Sequence, residues 1–235
     1  MSATKAKNQL IQQLPQAEAS HFIRQCERVD LDYHRVLCEL NEPISFVYFP
    51  CDGFISLVTP IIDHPPLELN LVGKEGMLGS SLILGQRQSP ARGIVQGSGT
   101  ALRMNTASFL QAIGNSAALR ELLGRYHYVL MVQASHIASC THFHDIEQRL
   151  ARALLAVHDR VPMDRFVMTH QSLADMLGVL RSAVTIAAGN LQALALISYS
   201  RGQIRIVNRA GLEATSCGCY AIVEADYSAL FSSAD

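Results

Sequence analysis

The chain has 235 residues, 49% of them hydrophobic, and a formal net charge of −1. That much apolar material excludes a disordered or fibrous chain and suits two modest packed domains or one large one. The near-zero charge is a poor match to nucleic-acid binding by bulk electrostatics, so any phosphate-facing surface has to come from how the charges are distributed.

No apolar run approaches the ~18 residues that a membrane span requires. The polar, Gln-rich stretch 1–14 has no signal-peptide core, which makes the cytoplasm the expected compartment and a membrane an unexpected partner. Cys26, Cys38, Cys51, Cys140, Cys217 and Cys219 are scattered without a C-x-x-C pair. In a reducing compartment they read as small buried hydrophobes.

In chain order, residues 8–28 predict one or two short helices, with Leu10, Ile11, Leu14, Phe22 and Ile23 at helical spacing around Pro15. From Arg35 to Met104 the texture changes to short runs rich in Val, Ile, Leu, Phe and Tyr: Val36–Leu40, Ser45–Phe49, Phe54–Thr59, Leu67–Val72, Arg92–Val95 and Thr100–Met104. Turn residues such as Cys51-Asp52-Gly53 and Gly97-Ser98-Gly99 separate them, as in a compact antiparallel sandwich or roll. Asn105 is placed to cap a short helix over Thr106–Ile113. The longest helical stretch follows, with Leu119, Leu123, Tyr126, Leu130, Gln133, Ile137, Cys140 and His144 at alternating steps of four and three. That spacing predicts a seam against a partner helix. Asp145 and Gln148 form a capping box for a helix over Ile146–His158. Asp159–Arg165, with Pro162, reads as a loop.

The segment His170–Asn190 carries the chemistry. Two helices crossing through a tight turn need a small residue in the first (Ala174), a glycine tolerating positive φ at the turn (Gly178) and an apolar anchor in the second (Val184). Thr169 is a natural N-cap. Leu196–Ser200 and Gln203–Val207, joined by Arg201-Gly202, read as a β-hairpin wing. Asn208 caps a final helix over Arg209–Tyr220. Between 160 and 209, Arg160, Arg165, Arg181, Arg201, Arg205 and Arg209 face only Asp164 and Asp175; counting Asp159 as well, the excess is about three positive charges, enough for a phosphate-facing surface. Arg181, Ser182 and Thr185 project from the start of the second helix, where major-groove contacts are made first, and Arg181 suits a guanine edge. Thr169, Gln171 and Ser172 at the first helix suit phosphate, and Arg201 and Arg205 on the wing suit phosphate or the minor groove. Leu180 and Ile186 are apolar where a DNA face is more often polar; they suit thymine methyls or packing. Gly189, inside the second helix, either ends it early or permits close packing.

This order of parts resembles the Crp/Fnr family of bacterial transcription regulators. The firmest stretches are Ile146–Leu155, the helix-turn-helix, and the wing with Gly211-Leu-Glu and Cys217-Gly-Cys-Tyr220. The resemblance implies an α+β chain: an N-terminal antiparallel, jelly-roll-like β-roll of the cyclic-nucleotide-binding type (1–115), a long central dimerisation helix and hinge (116–144), and a C-terminal winged helix-turn-helix (145–235). It further implies a homodimer on double-stranded DNA, with RNA polymerase and an unknown small-molecule effector as further partners. The sensor pocket maps to Gly76, Met77, Gly79, Ser80, Ser89 and Arg92. Nucleotide-binding members hold the cyclic phosphate with a Gly-Glu turn and an Arg-Ser/Thr pair. Here Met77 and Ser89-Pro90 stand in those places, so a cyclic nucleotide is not expected, and no cofactor is predicted. An iron–sulfur centre is not expected either, because only Cys26 and Cys38 lie in the N-terminal region. Two rivals remain: a constitutive DNA binder with a non-sensing β-roll, and a ligand-binding or interaction protein that has lost DNA binding.

His136, Cys140 and His144 share a helix face at i, i+4 spacing and form a candidate metal set; the favoured reading is a seam cysteine with solvated histidines. Cys217 and Cys219, two apart in a helix, point about 200° away from one another and read as structural. No nucleophile–base pair, Walker loop or H-E-x-x-H occurs, so no enzyme is expected.

Overall fold

The computed structural model describes residues 7–232. It divides into two compact units: one built from the chain up to Leu57, Asn70–Leu130 and the end from Tyr227, the other from Val58–Leu69 and Met131–Asp226. Among the described residues, no single helix is long and apolar enough to cross a membrane.

In the first unit, α1 (Gln9–Gln12) is capped by Asn8, whose side chain accepts from the Ile11 amide. The Asn8 amide also donates to the carbonyls of Pro50 and Gly76, both at 2.9 Å, so this buried polar group is satisfied. Pro15 precedes α2 (Gln16–Arg24), and Phe22 from that helix meets Phe49 edge-on at 5.3 Å. Seven strands follow, with the 58–69 part of β4 and β5 falling in the second unit: β1 (Glu27–Leu31), β2 (Val36–Cys38), β3 (Phe46–Pro50), β4 (Phe54–Ile61), β5 (His64–Val72), β6 (Arg92–Gly97) and β7 (Gly99–Asn105). They form two sheets, ordered β1-β7-β3 and β2-β6-β4-β5. Leu31, Tyr48, Ile55, Val72, Val95 and Ala101, from both sheets, cluster with Leu78 as the core of the roll. The expected strands all occur, with ends shifted by a few residues.

β1 was not among the expected strands. Val29 and Leu31 turn inward between charged Arg28 and Asp30, an alternation too short to stand out against the helical spacing before it. What holds it is register: Glu27 lies opposite Arg103, and the two form an ion pair at 2.6 Å. A charged edge strand of this kind also resists edge-to-edge association.

Asn105 caps α3 (Thr106–Asn115) as expected, accepting from the Ser108 amide. α4 runs from Ala117 to Phe143. The expected seam is partly turned inward. Leu119, Leu123, Tyr126, Gln133 and Cys140 are buried within the single chain. A second row, Gly124, Tyr128, Met131, Ser135, Ala138 and His142, also follows the four-three spacing, and every member of it is exposed.

In the second unit, α5 (Ile146–His158) starts at the Asp145–Gln148 capping box. It is followed by β8 (Arg165–Val167), α6 (His170–Leu177), α7 (Arg181–Ala193), β9 (Ile197–Ser200), β10 (Gln203–Ile206), α8 (Arg209–Thr215) and α9 (Cys219–Ser232). β8 starts at Arg165, the last residue of the segment expected to be a loop, and runs beyond it; it pairs with β10 and gives the sheet order β8-β10-β9. Leu150, Leu154, Leu173, Ala174, Leu177, Val184, Leu191, Ile204 and Leu212 form the buried side of these elements. The helix expected over Arg209–Tyr220 is two helices. α8 ends at Thr215, and Cys217 lies in the connection before α9.

Candidate nucleic-acid interface

Local chemistry sets the crossing of α6 and α7. The Thr169 hydroxyl accepts from the Ser172 amide and so caps α6. Gly178 ends that helix at φ 64°, with the cap amide donating to the Ala174 carbonyl. A Cβ in this left-handed region costs about 1–2 kcal/mol, which glycine avoids. The chain turns, and α7 leaves at 109° to α6. Ala174, Leu177 and Val184 are buried between the two helices. Arg149, buried in α5, donates to the Leu177 carbonyl, placing a cation at the C-terminal end of α6.

This crossing leaves Arg181, Ser182 and Thr185 exposed on one side of α7, opposite buried Val184. No side-chain hydrogen bond caps the start of α7 among the described residues; the Ala183 N–H donates to the Leu180 carbonyl at 3.0 Å, and the N–H groups of Arg181 and Ser182 ahead of it suit an anion. Thr185 donates to the Arg181 carbonyl at 3.0 Å. Its hydroxyl also lies 3.0 Å from Nδ1 of His170. That imidazole stacks on Tyr199 at 4.1 Å, joining α6, α7 and the wing. Burial, reinforced by the nearby Arg181 charge, holds His170 below the usual histidine range. His170 went unnoticed in the sequence because its role depends on partners 15 and 29 residues away. Among the other expected contacts, Gln171 donates to Asp175 at 2.8 Å and Ser172 pairs with Thr169 at 2.9 Å.

The wing is a two-residue hairpin. Ser200 lies opposite Gln203, with Arg201 at φ 50° and Gly202 at φ 80° between them. Positive φ at both central positions is the type I′ turn that matches strand twist. Arg201 is therefore exposed at the tip. Arg205 lies on the exposed side of β10, directly opposite Arg165 of β8. Two cations facing one another across strands repel, and an anion between them relieves the repulsion. Arg165 counts toward the basic excess in the sequence, but its place beside the wing was not legible there because its segment lacks a strand signal. Arg209, grouped with the wing arginines in the sequence, is engaged elsewhere. It donates to Asp159, Glu213 and Tyr220 at 2.8, 2.8 and 2.6 Å and meets Nδ1 of His158 at 2.7 Å.

In the β-roll, the residues of the expected sensor pocket are largely committed to the protein itself. Met77 is buried, and its amide donates to the Tyr126 hydroxyl at 3.2 Å. Gly76 lies under the same hydroxyl, which is 2.3 Å from where a Cβ would stand. Gly79, at φ 94°, precedes a short 3-10 helix that begins at Ser80. Ser89 is buried and donates to the Ala91 carbonyl at 2.7 Å, and Arg92 pairs with Glu39 at 3.0 Å. The carboxylate in this turn is Glu75, which is buried and accepts from the Gly73 amide at 3.0 Å. Burial raises the Cys26 thiol to about 12, and also raises Cys51.

The metal candidates resolve differently from expectation. His136 stays outside, whereas Cys140 and His144 are joined by Cys217 and Cys219, and one donor atom of each lies within 4.8 Å of all the others. The expectation that Cys217 and Cys219 diverge assumed one continuous helix. The break after Thr215 removes that constraint.

Residues 148–215 match the Crp-like helix-turn-helix domain. No curated protein matches the sequence. Among solved structures, the chain is similar to FixK2 from Bradyrhizobium japonicum, at 15% identity and TM-score 0.69, over 82% of this chain and 98% of that one. It is similar to CLP of Xanthomonas campestris, described as a c-di-GMP-responsive global regulator, at 18% identity and TM-score 0.64, over 82% and 99%. It is also similar to a Crp/Fnr-family putative transcriptional regulator from Eubacterium rectale, at 15% identity and TM-score 0.66, over 88% and 96%.

Proposed function

From a chain that carries a Crp-like helix-turn-helix and the fold of the Crp/Fnr regulators, we propose a homodimeric, sequence-specific DNA-binding transcription regulator. α7 enters the major groove, Arg181 reads a base edge, and Ser182 and Thr185 contact bases or phosphate. Arg201, Arg205 and Arg165 on the wing hold the flanking backbone, with Thr169, Gln171 and Ser172 at the start of α6. The β-roll receives a signal that favours one of two dimer states. The observation that carries this reading is the exposed Arg181-Ser182-Thr185 face on an uncapped helix start, fixed by the Thr169 cap and the Gly178 turn. The exposed four-three row on α4 supports the homodimer: an unpartnered strip with Tyr128 63% and Met131 59% exposed suits a second copy of the same helix.

Duplexes selected from a random pool provide the test. Arg181→Ala should weaken the selected site by ~1–3 kcal/mol and relax base preference at one position. Failure of the wild-type chain to associate with duplex DNA even at low ionic strength removes the reading.

A second reading, a protein-contact module, draws on Leu180 and Ile186, which are 77% and 67% exposed beside Arg181. The salt dependence decides between them, since a phosphate interface weakens steeply as salt rises.

A further inference from the structure

We propose that Cys140, His144, Cys217 and Cys219 form a closed, four-ligand site for one tetrahedral Zn2+-type ion, which clamps the end of α4 to the connection between α8 and α9. The site lies outside the DNA-facing residues and draws on parts of the chain 77 residues apart.

The geometry is that of a single ion. Sγ of Cys140 and Sγ of Cys217 are 3.5 Å apart, and Sγ of Cys219 is 3.6 Å from Nδ1 of His144. With Zn–S bonds of about 2.3 Å and Zn–N of about 2.0–2.1 Å, tetrahedral angles set S···S edges near 3.8 Å and S···N edges near 3.6 Å. All four donor atoms lie within 4.8 Å of one another, so the longest edge needs to contract by only about 1 Å to close the coordination shell. A multi-iron cluster spreads its ligands over several metal atoms and requires a wider cage. All six cysteines are free thiols.

The surroundings fit a charged centre. Cys140, Cys217 and Cys219 are 1%, 3% and 8% exposed and pack as a cluster of their own. Three thiolates and one neutral imidazole around a dication leave one net negative charge. The cations near the cluster are arginines: Arg149 beside Cys140 and Cys217, and Arg152 beside Cys140 and Cys219. Nε of each is buried without a hydrogen-bond partner. A buried guanidinium needs a compensating charge, and a thiolate-bound ion supplies it. Softness points the same way, since thiolate-rich tetrahedral sites select zinc. With four protein ligands and no open position, the role is structural rather than catalytic.

The position gives the ion a consequence for DNA binding, which rests on the regulator reading above. Cys140 lies in the last turn of α4, His144 directly follows that helix, and α5 begins two residues after His144. Arg149 runs from the cluster to the last carbonyl of α6, at the turn of the helix-turn-helix. Filling the site therefore fixes the helix that leads into the DNA-binding elements, and emptying it releases that helix.

The test separates metal from DNA. Full-length protein purified under reducing conditions should contain one zinc per chain. The chelator-stripped protein should take up one Co2+ with the visible bands and thiolate charge-transfer absorption of a tetrahedral sulfur-rich site. Cys217→Ser and Cys219→Ser should each weaken Co2+ by more than 100-fold, because even changes to groups behind the ligands cost about 10–100-fold. His136→Ala should bind as the wild type does. If a variant fails to fold, stripping and refilling the wild-type chain, with Co2+ absorption and thermal melting as readouts, decides the question. A stripped chain with three accessible thiols and no thiolate–Co2+ band overturns the site, as does undiminished binding by Cys217→Ser. Metal uptake without any duplex binding upholds the site while removing the regulator reading.

Discussion

At the scale of single residues, the sequence reports best what is decided locally. Thr169, Asn105 and Asn208 each cap the helix that follows because the acceptor and the orphan amide lie three residues apart. Gly178 was legible for the same reason. His170 was not, because its meaning is the sum of a hydroxyl on α7, a ring on β9 and the charge of Arg181. Burial, and then Arg181, favour its neutral form. The folded-state pKa is thus lowered, and the stabilisation it brings is present above the ordinary histidine value of about 6.5 and lost as pH falls through the lowered one. Thermal melting from pH 7.5 to 5 should therefore show a steeper loss in the wild type than in His170→Gln. Parallel profiles would refute this account. Arg209 carries a complementary lesson: charge at a wing base suggested phosphate, yet four partners hold it within the protein.

At the scale of elements, periodicity located the longer apolar runs and passed over two short strands that bury only one or two side chains each: Leu31, with Val29 against it, in β1, and Phe166 in β8. β1 and β8 are held by pairing with β7 and β10, and no inspection of Glu27–Leu31 or Arg165–Val167 alone supplies that partner. The α8–α9 break was hidden because Ser216-Cys217-Gly218 is only a mild interruption of a helical pattern. It is this break that lets Cys217 and Cys219 converge. Gly189 is the reverse case, a residue that signalled a break and made none. α7 continues to Ala193, and a Cβ at Gly189 meets nothing within 4 Å. Neither early termination nor close packing explains it. Gly189→Ala should therefore raise unfolding free energy by about 0.5–1 kcal/mol, the helix-interior difference between the two residues. Chemical denaturation measures it, and a destabilised variant would mean that the glycine meets a partner on its exposed side.

At the scale of the whole molecule, the order of textures gave the architecture, and the helix-turn-helix spacing gave the elements that carry the proposed DNA contacts. The orientation of α4 was beyond it. Two rows of the same helix follow the four-three rhythm, and only packing reveals that the more apolar one is partly spent inside the chain. The exposed row is the one left for a partner. Met131→Glu places a charge in it and should shift the protein from dimer toward monomer in sedimentation equilibrium at micromolar concentration, with melting of the isolated chain nearly unchanged. A dimer that withstands the substitution would locate the interface elsewhere. The Tyr126 hydroxyl adds a last consequence. It accepts from the Met77 amide and stands directly over Gly76, so the turn that the family resemblance assigns to the sensor pocket is also a bearing for the central helix. A shift of that turn by the width of one methyl group has to push the phenol aside. The roll and α4 can thus report to one another mechanically, with no messenger passing between them.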